Sequence, residues 1–486
     1  MNPASEYLQG ITRRHFLRDS QAGLGAMALA GLMGNSQSQA ASPVNNVAQP
    51  MFAPKAKHVI YLHMAGSPPQ HDLFDFKPKL VEHTMQPCPD ELLEILKKER
   101  LPFIDLNARR PKLLGTPYKF AQHGQSGQWM SELLPNLSER ADDLCVIRSM
   151  KTDQFNHAPA QLLLYTGSPR FGGASMGSWA TYGLGSESEN LPAFVVMVTG
   201  GTDPSGGKSL WGSGFLPSVY QGVQCRTKGD PILYVSDPVG MSRGVRRKSL
   251  DALQRLNELE HQRSGDPETQ TRISQYELAY RMQMAVPEAM DVSKEPKHIQ
   301  DAYGIGGDES FANTCLLARR LVERGVRFVQ LFNWGWDTHG TGKGDDIVTQ
   351  LPKKCQQVDK PIAALLTDLK QRGLLDETLV IWSGEFGRTA MNEERGGSKF
   401  LGRDHHPHCF TIWMAGGGVK PGLSYGGTDD LGYFVTENEM PVPDLQATIL
   451  HLLGLDPHRF SVPFQGLNQR LIGPSNDPKV HHDVIA

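Results

Sequence analysis

Three short loops concentrate the side chains most able to do chemistry. Asn333-Trp334-Gly335-Trp336-Asp337-Thr338-His339-Gly340 sets a carboxylate and an imidazole two residues apart. Ser383-Gly384-Glu385-Phe386-Gly387-Arg388-Thr389 adds a second carboxylate close to an arginine. Gly402-Arg403-Asp404-His405-His406-Pro407-His408 adds a third carboxylate within a histidine cluster. Carboxylate oxygens and imidazole nitrogens together suit zinc, manganese, iron or a related divalent ion, with calcium as a further choice. Asp337, His339, Glu385, Asp404 and His405 are therefore candidate metal ligands, and His63, at the end of another apolar run, joins them. Singly, each loop has an ordinary reading as a turn, a helix cap or a solvated histidine. Three in succession point to one shared site. Arg388 and Arg403 carry the planar guanidinium that can grip an anion through two parallel hydrogen bonds, so Arg388 is a catalytic candidate and Arg403 a substrate-binding one.

These loops need elements to hold them. His58 to His63 (HVIYLH) is a β-branched and aromatic run that ends in a Gly-Ser-Pro-Pro turn, the pattern of a core strand feeding a loop. Leu144 to Arg148, Phe194 to Val198, Val326 to Phe332, Leu379 to Trp382 and Phe410 to Met414 read as further strands. Between them, Phe311 to Arg324, a stretch through Val358, Ile362, Leu365, Leu366 and Leu369, and Leu445 to Leu453 have helical spacing, with Gly325 and Gly373 at helix ends. This alternation predicts an α/β three-layer sandwich, a mostly parallel sheet covered by helices, with ligands at the carboxyl ends of the strands. Leu250, Leu253, Leu256 and Leu259, followed by Ile273, Tyr276 and Tyr280, predict two amphipathic helices over about 249–290 as an insertion packed on the core. Ser67 reads as a turn residue before it reads as a nucleophile. Trp334, Trp336, Trp382 and Trp413 sit near the predicted rim, where they either pack or stack on sugar rings.

The composition narrows the function classes. The 486 residues carry 49 basic and 52 acidic side chains, a near balance that gives no general pull toward nucleic acid or anionic lipid. Fifty glycines and 33 prolines without a short period argue for a loop-rich globular chain. The six cysteines lie far apart with no CxxC pair, which favours buried free thiols. Thr12-Arg13-Arg14-His15-Phe16-Leu17-Arg18 is a twin-arginine pattern running into a short uncharged stretch, Ala22 to Met33, and Ser38-Gln39-Ala40. That predicts a Tat export signal over 1–40, hence contact with the Tat translocase, a periplasmic or envelope location and no stable membrane span. A linker over 41–56, one domain over 57–474 and a tail over 475–486 complete the expected organisation.

Several longer motifs carry a family resemblance. WDTHG, SGEFGRT and GRDHxP, with NHxPAxxLLxTG at Asn156 to Gly167, SMGSWxxYGLG at Ser175 to Gly185 and LPAFVV at Leu191 to Val196, resemble the bacterial DUF1501 family over nearly all of the chain after the signal. That family is similar to sulfatases and the wider alkaline phosphatase superfamily, whose members bind one or two divalent metals on an α/β sandwich and hydrolyse sulfate or phosphate esters. The resemblance implies Glu385 at a carboxylate ligand position and Phe386 where a second ligand is expected. It implies Asp337 and His339 at the other metal, and His405 as the last imidazole. Pro443 to Gly454 resembles the helix after the sulfatase core. When Thr166-Gly167 is laid on the end of the sulfatase nucleophile segment, His157 falls at the nucleophile position, with Ala160 and Gln161 where Ser and Arg would be. No formylglycine precursor is present, which excludes the gem-diol mechanism. The first strand offers His63-Met64-Ala65-Gly66-Ser67 in place of an aspartate, with Asp72 and Asp75 only later.

His157 stays open among a metal ligand, a nucleophile and a buried structural histidine. It counts here as a catalytic candidate, with Asn156 beside it a substrate-binding one. The leading expectation is an exported, metal-dependent hydrolase of phosphate, sulfate or related esters, its substrate an anionic ester that includes sulfated or phosphorylated carbohydrate. The competing expectation is a non-catalytic binding or envelope protein of the same fold, stabilised by its metal.

Overall fold

The computed structural model describes residues 49–99, 110–226, 241–265, 267–306 and 310–486. The expected signal and residues 41–48 of the linker lie outside the described residues. The larger of two compact units comprises Val47–Val235 and Arg281–Ala486. Its main elements are β1 (His58–Ala65), β2 (Cys145–Lys151), α1 (His157–Thr166), β3 (Phe194–Thr199), α2 (Phe311–Val322), β4 (Phe328–Trp334), α3 (Gln350–Gln371), β5 (Thr378–Ser383), β6 (Phe410–Ala415) and α4 (Val442–Leu452).

All eight residues of β1 are buried, so this strand is covered on both faces and must lie mid-sheet. The order is β2-β6-β5-β1-β4-β3, extended by Ser424–Tyr425 beside β2 and Val223–Gln224 beside β3. β1 pairs in parallel with β4 and β5, and β3 in parallel with β4, but β6 is antiparallel to both its neighbours. That reversal matters for function. The segment leading into β6 arrives at the same sheet edge that the chain leaves from β1, β4 and β5, so all the candidate loops meet there.

Alternate residues such as Val59, Tyr61, Val196, Leu379, Ile381 and Ile412 share a core with α1 and α4. α2 lies on β1 and β4 and packs along α3. The architecture is a three-layer α/β sandwich with a mostly parallel sheet, as the alternation implies. All six cysteines are buried and free. No helix of the described residues is long and apolar enough to cross a membrane.

The smaller unit, described over 241–265 and 267–280, contains helix Arg243–Ser264 and the start of helix Pro267–Ala289. Ser242 caps the first by accepting from the Val245 N–H at 3.4 Å, and Gly265 ends it in the left-handed conformation. Its leucines correct the expectation of one buried stripe. Leu250 is buried, whereas Leu253, Leu256 and Leu259 are exposed. A repeat of three steps back by about 60° each time around a helix of 3.6 residues per turn, so four leucines at that spacing cannot share one face.

One buried ionic knot holds α2 to its surroundings. Arg319, 1% exposed, reaches Glu295 at 2.7 Å, Glu323 at 2.6 Å and Asp368 at 2.9 Å. Replacing Arg319 by leucine strands buried carboxylates, and urea unfolding is expected to show a loss of about 3 kcal/mol. A loss below about 1 kcal/mol would show that Arg320 and Arg372 compensate fully.

Candidate metal centre

The turn after β1 sets the geometry. Gly66 has φ 104° and Ser67 φ 63°, a left-handed conformation unusual for a residue with a Cβ. Its cause lies in the hydroxyl, because Ser67 Oγ accepts the backbone N–H groups of Glu385 and Phe386, both at 3.1 Å. Gly66 N–H in turn donates to Glu385 Oε1 at 3.1 Å. Ser67 is thus the buried tie between β1 and the loop after β5, with no free hydroxyl for attack. The loops after β4 and before β6 are equally close. A Cβ on Gly402 would lie 2.0 Å from the His339 carbonyl carbon, and Arg403 N–H donates to the Thr338 carbonyl at 3.0 Å.

These contacts bring the ligand-type groups together. His157, Asp337 and His405 offer ligand atoms all within 4.8 Å of one another, and so do His339, Glu393 and Asp404. Asp337 joins the two sets: His157 Nε2 lies 3.4 Å from one carboxylate oxygen, and His405 Nε2 at 3.3 Å and His339 Nε2 at 2.9 Å share the other. His339 Nδ1 meets Glu393 at 2.5 Å. Behind His157, Glu385 Oε1 takes its Nδ1 at 2.6 Å and the Gln161 amide at 3.1 Å, while Glu385 Oε2 stands 3.3 Å from His63 Nε2.

Two features of this cluster fit a cation. Both ring nitrogens of His63, Nε2 of His157 and Oε2 of Glu385 are buried without a well-formed hydrogen bond, and the ion pairs His63–Glu385 at 3.3 Å and His157–Asp337 at 3.4 Å offset their burial only in part. The spacings of 3.3 and 3.4 Å around Asp337 match the edge of a tetrahedron with bonds of about 2.0–2.1 Å. The donor set is nitrogen and oxygen, as the loops imply.

Electrostatics follow from the crowding. Burial alone would raise the Asp337 carboxyl, but Arg388 and the three imidazoles hold it far below the usual carboxylate range. Glu385 is likewise held low against its burial by His157 and His63. His157 resists its own burial and is pushed up to about 9 by Asp337 and Glu385. His405 is pushed down to about 4 by burial and by the charges of Arg388 and His157, so its ring is neutral near pH 7. Burial and the neighbouring Glu393 push Asp404 up to about 6.

A model of the family described as "Protein of unknown function (DUF1501)" matches residues 56–485. This chain belongs to the DUF1501 family. No curated protein matches the sequence. Among solved structures, the lipoteichoic acid synthase LtaP of Listeria monocytogenes is 12% identical over 86% of this chain and 75% of its own, with a TM-score of 0.34. The PsFucS1 sulfatase of Pseudoalteromonas sp. is 15% identical over 84% and 80%, with a TM-score of 0.34. A TAB5 alkaline phosphatase variant with Mg bound in its M3 site is 12% identical over 83% and 99%, with a TM-score of 0.32.

Within this DUF1501 protein the remaining candidates fall differently from expectation. Arg403 is fully buried and closed off, its guanidinium on Asp72 at 2.8 and 3.1 Å and on the carbonyls of Leu114 and Thr389. It braces the loop and has no face for a substrate anion. Arg388 is also fully buried, bonded to Asp337 at 2.5 Å, to the Ser67 and Arg403 carbonyls at 3.0 Å and to the Gly66 carbonyl. It orients Asp337 rather than reaching outward. Asn156 is exposed at the start of α1 and makes no cap bond. Phe386 packs against the His157 and His405 rings at 5.0 and 4.5 Å. Trp336, Trp382 and Trp413 are core residues, and only Trp334 flanks the cluster, 6.2 Å from the His157 ring.

Two participants had no assigned role in the sequence reading. Glu393 has no motif to announce it. Gln161 was discoverable, since it lies four residues after His157 and so on the same helical face.

The His157 shift gives a pH test. Its pKa in the fold exceeds the usual value of 6.5, so without metal its stabilisation is complete below that pH and disappears as pH rises through 9. Chelator-treated protein is expected to lose about 3 kcal/mol between pH 6.5 and pH 9. Metal-loaded protein should not, since a metal competes with the proton for the same nitrogen. Melting curves of both forms across that range check this, and parallel curves would contradict it.

Proposed function

We propose that this protein is an exported, metal-dependent hydrolase of phosphate, sulfate or related esters. The observation that carries the reading is the pair of contacts made by the two ring nitrogens of His405. Its Nδ1 lies 2.8 Å from the Phe155 carbonyl and must donate there, so in the neutral ring Nε2 bears a lone pair. That lone pair faces an Asp337 oxygen at 3.3 Å, an arrangement that repels unless a cation lies between.

Asp337, His157 and His405 would hold one ion, and His339, Glu393 and Asp404 a second, with zinc or manganese suiting the nitrogen-rich set better than calcium. A divalent ion there supplies Lewis-acid polarisation of the phosphoryl or sulfuryl oxygens. The rest falls to the chain itself. Glu385, with Gln161 and His63 behind it, fixes the ring of His157 and aims Nε2 at Asp337. Arg388 clamps Asp337 to the backbone of the β1 turn, and Arg403 with Asp72 braces the loop that carries Asp404 and His405. With no Ser or Cys at position 157, water is the acceptor: it adds to phosphorus or sulfur, the bond to the ester oxygen breaks, and the alcohol leaves with a proton.

Export rests on the twin-arginine segment, Thr12 to Arg18, and folding before translocation would allow metal loading in the cytoplasm. One observation favours the second reading, a metal-stabilised binding protein: Arg388 already neutralises Asp337, and the Ser67 hydroxyl is taken up by two backbone N–H groups.

Protein purified without chelator separates the two by elemental analysis and turnover of aryl phosphate, phosphodiester and aryl sulfate. Asp337→Asn is expected to lower bound metal and turnover together by at least about 100-fold. Stoichiometric metal without turnover of any ester would establish the binding-protein reading, and wild-type protein free of metal would overturn both.

A further inference from the structure

A cavity of ≈ 670 Å³ is lined in part by the segments that flank His157 and His405, and its volume is within the size range of small-molecule sites. Its walls come from Phe155, Leu163, Pro169, Pro407, Val442 and Pro443. Two of these are tied to the cluster. Phe155 stands two residues before His157, and its carbonyl holds His405 Nδ1 at 2.8 Å, while Pro407 stands two residues after His405. The cavity wall is therefore one imidazole ring away from Asp337. A further bond from the Thr152 N–H to the Pro407 carbonyl at 3.0 Å fixes the two wall segments to each other.

The lining selects for chemistry. Proline presents no N–H and no rotamer freedom to lose, so the proline walls offer rigid apolar surface, with Thr152, His408 and Asn476 as the uncharged polar groups beside them. The charged groups on the lining are Asp153, Glu439 and Lys151, and the lysine is paired with Glu439 at 3.1 Å. The other titratable group, His408, packs toward the Phe434 ring at 5.6 Å. An excess of carboxylate with its one lysine already paired repels a polyanion and accepts an uncharged aromatic or alkyl group.

We propose that this cavity binds the uncharged aryl or alkyl part of the ester whose anionic head lies at Asp337 and its imidazoles. The assignment of that head rests on the hydrolase reading; the apolar character of the cavity does not. Pro169→Trp and Leu163→Trp each place an indole in the space. In metal-loaded protein, calorimetry with 2-naphthol is expected to show binding that either variant weakens at least about tenfold. The KM for 2-naphthyl phosphate should rise by a similar factor, with its kcat, methyl phosphate turnover and metal content unchanged. The half-buried Pro169 site keeps the test informative if Leu163→Trp fails to fold. Absence of naphthol binding to the wild type, equal binding in a folded variant, or displacement of naphthol by a sulfated oligosaccharide would overturn the proposal. Naphthol binding that the variants abolish, in a protein that turns over no ester, would keep the cavity assignment and remove the hydrolase reading.

Discussion

A carboxylate shared among imidazoles that cannot all donate to it is the constraint on which this structure depends. Asp337 meets His157, His339 and His405 as well as the Arg388 guanidinium. One of those rings has its only proton committed to a carbonyl. Behind them His63 and Glu385 are sealed from water with atoms unpartnered. Burying such groups without full compensation is costly. A divalent cation would satisfy the lone pairs with a single bound species.

The fold serves this constraint by bringing five chain segments to one sheet edge. Four arrive because the mutually parallel strands β1, β2, β4 and β5 end there, and the fifth because β6 runs backwards. Glycines then let the loops approach closer than any side chain would allow, Gly402 against His339 being the clearest case. The arginines, which sequence alone would aim at a substrate anion, are the internal struts of this assembly. Their charge holds Asp337 and Asp72 in place, so the positive potential they supply acts on these two carboxylates first.

Much of this was legible in the chain. Strand runs such as HVIYLH and LVIW are long enough, apolar enough and well enough bounded to identify a buried parallel sheet, and the loops after them carry most of the ligand-type groups. What stayed hidden depended on three-dimensional facts with no local signature. Glu393 joins His339 across loops, through a contact that no spacing encodes. Whether Arg388 and Arg403 face outward or inward is decided by carbonyls and carboxylates far away in sequence. Trp336, Trp382 and Trp413 lie near strand ends, yet all three are buried. The leucines of helix Arg243–Ser264 recur every three residues, a spacing that drifts around the helix, and so only Leu250 of the four is buried.

The most direct measurement is an anomalous difference map collected at the metal absorption edge, from crystals of protein purified without chelator. The account predicts a peak between the Asp337 carboxylate and the Nε2 atoms of His157 and His405, at bonding distance from each. Density there with no anomalous signal, and His405 hydrogen-bonded directly to Asp337, would contradict it.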